Sequence, residues 1–197
     1  MTIDQIRTAL AAHDRKMMST TDFPGFRHAA VLLLLFPDTN NGLSILLTVR
    51  TDSVETHKGQ ISCPGGMSDQ DDIDSIDTAL RETEEELAIA RNNIEIVGQI
   101  DDTVSPAGFI ITPVIGYAKN QPAWEANPAE VKEVITVPLP LFEDRKTARK
   151  EYRSIGSISG NVWFFSHSEH TIWGATAGII VNLIETVEKH FNQQNPA

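Results

Sequence analysis

A chain of 197 residues, 41% hydrophobic and 22% charged, carries enough apolar material for one compact core, which excludes a disordered or fibrous protein. Sixteen basic against 27 acidic residues leave a formal charge of -11, so there is no broad basic footprint for nucleic acid or an anionic membrane. An anionic substrate would have to be brought in by metal ions.

Behind Thr2, a candidate N-cap, Ile3, Ile6, Leu10 and Ala11 recur at helical spacing, which predicts a packing helix over residues 2–13. Residues 29–36 and 43–49 are nearly unbroken apolar runs separated by turn formers at 37–42, the pattern of a hairpin of buried strands. A polar loop over 50–60 leads to Pro64-Gly65-Gly66, where missing side chains let the backbone approach a ligand closely. Cys63 is the single cysteine, so an internal disulfide and a zinc ribbon are excluded. It reads as a small buried filler in a protein of the reducing cytoplasm.

A longer helix is predicted over 73–90. Asp69, Asp71, Asp72 and Asp74 complement the positive end of its dipole and supply N-cap candidates. Ile76, Leu80, Thr83 and Leu87 form a stripe for the core, which turns Glu82, Glu85 and Glu86 away from it. Strands are expected at 94–100, 110–118, 133–137 and 162–166, with a loop at 101–108 holding Pro106 and Gly108. Trp163, Phe164 and Phe165 read as sheet core, and Trp173 as an anchor for a closing helix over 172–191. No uncharged apolar run approaches the ~18–20 residues of a membrane span, so a soluble, unprocessed protein is expected. Without repeats or a linker, the expected architecture is α/β, with helices on both faces of a mixed central sheet in one domain over 1–197.

Glu82, Glu85 and Glu86 stand at i, i+3 and i+4, so three carboxylates crowd one turn. Each like-charged pair costs roughly 0.2–0.5 kcal/mol, and Arg81 alone does not neutralise the set. A divalent cation would. The bland alternative is a solvated, charged helix face.

The run Gly66, Asp72, Arg81-Glu82, Glu85-Glu86 and Ile89 resembles the Nudix box, which extends here over about residues 65–89. Three positions depart from its usual form. Asp72 replaces glutamate with one extra residue before Arg81, Thr83 takes an aliphatic position, and Ala88 stands where glycine is usual. Upstream, Leu46-Leu47-Thr48, Gly59-Gln60 and Pro64-Gly65-Gly66 resemble the segment that marks the coenzyme A pyrophosphatase branch, with Cys63 in place of phenylalanine and Glu55 in place of a basic residue. Residues 111–116 and 172–180 resemble further pieces of that branch.

The resemblance implies a Nudix-type α/β/α sandwich and a Mg2+-dependent (or Mn2+-dependent) hydrolase. Its products from coenzyme A would be 4'-phosphopantetheine and adenosine 3',5'-bisphosphate. By position, Glu85 and Glu86 would be metal ligands, Glu82 a further ligand or the base that orients water, and Arg81 the group that holds a carboxylate in place. Gly65 and Gly66 would offer main chain to metal or phosphates, with His57, Gly59 and Gln60 on the substrate. Asp69 and Asp72 are weaker candidates because their service at the helix start is adequate, and Asp101 or Asp102 is a possible late ligand. Family habit adds a homodimer. Two alternatives stay open: a Nudix hydrolase of another nucleoside diphosphate derivative such as NADH or ADP-ribose, and a catalytically silent nucleotide sensor.

Overall fold

Helix α1 (Ile3–Ala11) starts on a capping box: the Gln5 N–H donates to Thr2 Oγ1 at 3.3 Å and the Thr2 N–H to Gln5 Oε1 at 2.8 Å. The computed structural model describes residues 1–39, 42–51, 59–146, 148–155 and 158–194; His57 and Glu55 lie outside the described residues. Strands β1 (Arg27–Pro37) and β2 (Leu43–Arg50) pair antiparallel as the expected hairpin, with Leu34 opposite Leu46. Two short strands follow, β3 (Ile61–Ser62) on β2 and β4 (Gly65–Met67) on β1. Helix α2 (Ser75–Leu87) comes next, then β5 (Glu95–Gln99), β6 (Thr103–Ser105), β7 (Phe109–Tyr117) and β8 (Val131–Pro138). A short helix α3 (Pro140–Glu143) precedes β9 (Arg149–Ile155), β10 (Ile158–His167), β11 (His170–Trp173) and the closing α4 (Gly174–Gln194).

The large sheet runs β3-β2-β1-β7-β5, with β4 beside β1, β6 beside β7 and β8 beside β2. It is mixed because β1 and β7 pair in parallel while β1–β2, β2–β8 and β5–β7 pair antiparallel. Alternation along β1 feeds two cores. Leu33 and Leu35 point to the face covered by α1 and α4, whereas Ala30, Leu32, Leu34 and Phe36 point to the face covered by Ala79 and Leu87 of α2. The four leucines at 32–35 are fully buried, each contributing about 1.5–3 kcal/mol. This is the α/β arrangement with helices on both faces. A second sheet, β11-β10-β9, sends Phe165 and Ile172 into the α4 core and turns Phe164 and Trp173 to its other face.

Four expectations need correcting. The 101–108 segment is not all loop: β6 pairs with β7 around a turn in which the Gly108 N–H donates to Ser105 O at 2.9 Å. Ile172 and Trp173 belong to β11, because their partners on β10 outbid the helix that starts at Gly174. Strand β9 has no counterpart among the expected elements. Glu86 does not turn away from the core: it is 3% exposed, since a glycine strand and the approach to β8 close over it.

Candidate active site

Helix α2 begins at Asp74, whose carboxylate accepts from the Ile76 and Asp77 N–H groups at 2.8 and 2.9 Å. Its inner face presents Ala79, Thr83 and Leu87 to the sheet. Thr83 is tolerated at an aliphatic position because its hydroxyl donates to Ala79 O at 2.7 Å, leaving its methyl for the core. The same rotation carries Glu82 and Glu86, one turn apart, over β4.

Glycine makes that approach possible. A Cβ on Gly66 would lie 2.3 Å from Glu82 Oε2, and one on Gly65, at φ +146, would lie 2.3 Å from the Ala30 carbonyl oxygen. Arg81 then organises the acids. Its Nε and Nη2 donate to the two oxygens of Asp72 at 2.8 and 2.9 Å, and its Nη1 to Glu82 at 2.8 Å and Glu85 at 3.2 Å. This bidentate pair holds the Asp72 carboxyl well below the usual range, so Asp72 is the arginine's anchor as well as a helix-start acid. Glu85 stands at the rim with its side chain 57% exposed, apart from the inward pair.

Burial dominates the electrostatics of that pair. It raises the Glu82 pKa against the pull of Arg81, and it pushes Glu86 up to about 8, with Glu130 and Glu82 adding to the rise and Arg50 and the Gly65 N–H opposing it. Among the described residues, Glu86 Oε2 is buried without a hydrogen-bond partner. A hard divalent cation fits these donors: an oxygen lacking a donor, a second carboxylate beside it and a glycine strand that leaves room. Among the described residues no three acidic, histidine or cysteine side chains converge into a finished cage. That suits Mg2+, which commonly takes one or two carboxylates and completes its shell with water and substrate phosphates.

The pair opens into a cavity of about 990 Å³. Gly65, Gly66 and Gln60 line it, as do Asp69 at its edge and Cys63 in its wall. Gly59 forms a turn at φ +65, its N–H donating to Arg50 O at 3.2 Å, and is not on the cavity wall. Burial pushes the Cys63 thiol up to about 12, which suits the filler role and excludes a thiolate nucleophile. Asp101 and Asp102 serve the N-terminal segment instead: Asp101 contacts His13 Nε2 at 2.7 Å, and Asp102 pairs with Arg15.

Sequence reasoning missed Glu130 and Arg50. Glu130 immediately precedes β8, whose first residue, Val131, pairs with Arg50, so an acid and a base meet at the cavity wall. The signal was the acid next to the strand, hidden by starting that strand at 133. The Asn127 N–H donates to Glu86 O at 2.8 Å, tying the segment that carries Glu130 to the end of α2.

Comparison with known proteins gives one consistent answer. The family model for the NUDIX domain matches residues 26–155. The uncharacterized Nudix hydrolase NudL of Photorhabdus laumondii is 35% identical over 164 residues, 82% of this chain and 86% of that protein. NudL of Escherichia coli K12 is 36% identical over 159 residues, 80% of this chain and 81% of that protein. Among solved structures, a MutT/nudix family protein from Enterococcus faecalis covers 96% of this chain and 75% of its own, at TM-score 0.54 and 17% identity, a likeness of fold.

Proposed function

The chain belongs to the Nudix hydrolases, which act on phosphorus-containing acid anhydrides, and from that premise we propose that it cuts the pyrophosphate of coenzyme A or its derivatives. The observation that carries the chemistry is the buried Glu86 carboxylate with one oxygen lacking a donor, facing a large cavity. Coenzyme A is favoured by the upstream Leu-Leu-Thr and Pro-Gly-Gly segments, which bring β2, Cys63 and β4 to the cavity, and by a volume near the top of the ~300–1,000 Å³ range of ligand pockets.

Glu82 and Glu86 would hold the divalent ion, with Glu130 in the cavity wall and Glu85 at the rim as further oxygen donors. When bound there, Mg2+ or Mn2+ would supply charge to offset the phosphate oxygens and acidify a water. Arg81 fixes Glu82 through Oε1, leaving Oε2 beside Gly66 to serve as ligand or to receive the proton of the attacking water. Water adds to one phosphorus as the bridging P–O bond breaks, giving 4'-phosphopantetheine and adenosine 3',5'-bisphosphate. Gly65 and Gly66 offer main chain to the phosphates without a side chain in the way. Among the described residues no helix is long and apolar enough to cross a membrane. A cytoplasmic location enters the proposal through the single cysteine, Cys63, and a homodimer through family resemblance.

Incubation of purified protein with Mg2+ and coenzyme A, followed by product chromatography, tests the reading. Stoichiometric release of the two products is expected. Turnover of NADH or ADP-ribose but not of coenzyme A would reassign the substrate, and binding without hydrolysis would make the domain a sensor.

A further inference from the structure

The second sheet gives the cavity a wall of different chemistry. Strand β9 carries Arg149, Lys150 and Arg153 against one acid, Glu151, a local excess of two positive charges in a chain of net charge -11. Arg153 lines the same cavity as Glu82 and Glu86, but from this sheet rather than from α2 or β2. Its guanidinium carbon lies 4.9 Å from the Phe164 ring centre and 5.9 Å from that of Trp173, and those two rings stack at 5.7 Å with 4° between their planes. Its Nε and Nη2 donate to Glu151 Oε2 at 3.0 and 2.8 Å. Glu151 also pairs with Arg149, so one carboxylate answers two guanidinium groups. Opposite Arg153 on β10 is Gly160, where an added Cβ would meet nothing within 4 Å, so there is open space beside the fork.

An arginine laid on aromatic faces is preorganised and weakly hydrated, with a planar set of donors that matches phosphate oxygens. Two of the other cavity arginines are engaged with the acids, Arg81 with Asp72, Glu82 and Glu85 and Arg50 beside Glu86; Arg27 lies over the single Phe109 ring at 4.9 Å, whereas Arg153 reaches two stacked rings. We propose that Arg153 binds a phosphate monoester that the substrate carries away from its scissile pyrophosphate, and so selects nucleoside diphosphate derivatives that bear this extra phosphate. The proposal deepens the coenzyme A reading and rests on it for the substrate, whose nucleoside carries such a group.

Calorimetry of the full-length protein without metal, titrated with adenosine 3',5'-bisphosphate and with adenosine 5'-monophosphate, tests it directly. Wild type binds the bisphosphate roughly tenfold or more tightly than the monophosphate, the preference collapses in Arg153→Met, and Arg153→Lys keeps part of it. In turnover with Mg2+, the kcat/KM ratio of coenzyme A to dephospho-coenzyme A falls toward one in Arg153→Met, mainly through KM. Melting curves establish that both variants fold. Equal binding of the two nucleotides by wild type, or an unchanged preference in Arg153→Met, would overturn the proposal. Failure of the coenzyme A reading has a different signature: no turnover of either coenzyme, with the nucleotide preference and its dependence on Arg153 intact.

Discussion

Asp102 and Glu86 are both acids almost sealed from solvent, at 6% and 3% exposure, and their surroundings could hardly differ more. Asp102 accepts from Arg15 Nη2, the Thr112 hydroxyl and the Met18 N–H, each at 2.8 Å, so both its oxygens have donors. Among the described residues Glu86 has an oxygen with none, and its strongest helper, Arg50, acts through space. A buried acid saturated by its own chain ties elements together, whereas one left short of partners awaits something from outside. Here the first pins the N-terminal segment to β7, and the second faces the cavity.

Exchange of each acid for a neutral residue would break or sharpen this contrast. The largest effect is expected for Glu86→Gln: kcat on the pyrophosphate substrate falls by roughly 10²–10³, the scale of losing one preorganised electrostatic group. In the same variant Mg2+ no longer raises the melting temperature, although the metal-free protein melts no lower than wild type. Asp102→Ala reverses the pattern. It leaves Arg15 without its carboxylate and costs about 3–5 kcal/mol of stability in urea titration, while turnover per folded molecule is retained. Collapse of turnover with stability intact would erase the distinction.

The box and the framework around it were legible in the sequence because strong local signals carried them: the Thr2 cap, the apolar runs of β1 and β2, and the acids placed on α2. Elements held by partners rather than by their own pattern were not. Strand β4 is mostly glycine, β3 is two residues long, and β9, Arg-Lys-Glu-Tyr-Arg-Ser-Ile, shows no alternation that would mark a buried face. The helical stripe misplaced Glu86 because amphipathic spacing records which residues prefer the interior, and a carboxylate there is justified by chemistry. Glu130 and Arg153 come to the cavity from distant segments, a juxtaposition set by sheet topology alone.

A subtler test uses pH. The folded-state pKa of Glu86, near 8, stands above the ordinary 4.5, so the folded protein holds this proton more tightly than the unfolded chain. Its stabilising contribution is therefore complete below about 4.5 and is lost as pH rises through about 8. Melting temperatures measured in EDTA should thus fall for wild type relative to Glu86→Gln across that window. Saturating Mg2+ should flatten the difference, since the ion favours the ionised form. A gap between the two proteins that is independent of pH would show that Glu86 is not desolvated as described.

The end of α2 holds one more lesson. Ala88 closes the helix in a left-handed conformation, at φ 54, which costs a residue with a Cβ roughly 1–2 kcal/mol relative to glycine. Ala88 is exposed and is not among the residues of the core beneath α2. The catalytic helix is therefore wound against a slight spring that serves no step of the chemistry, and trimming that single methyl offers thermostability without trading away any part of the reaction.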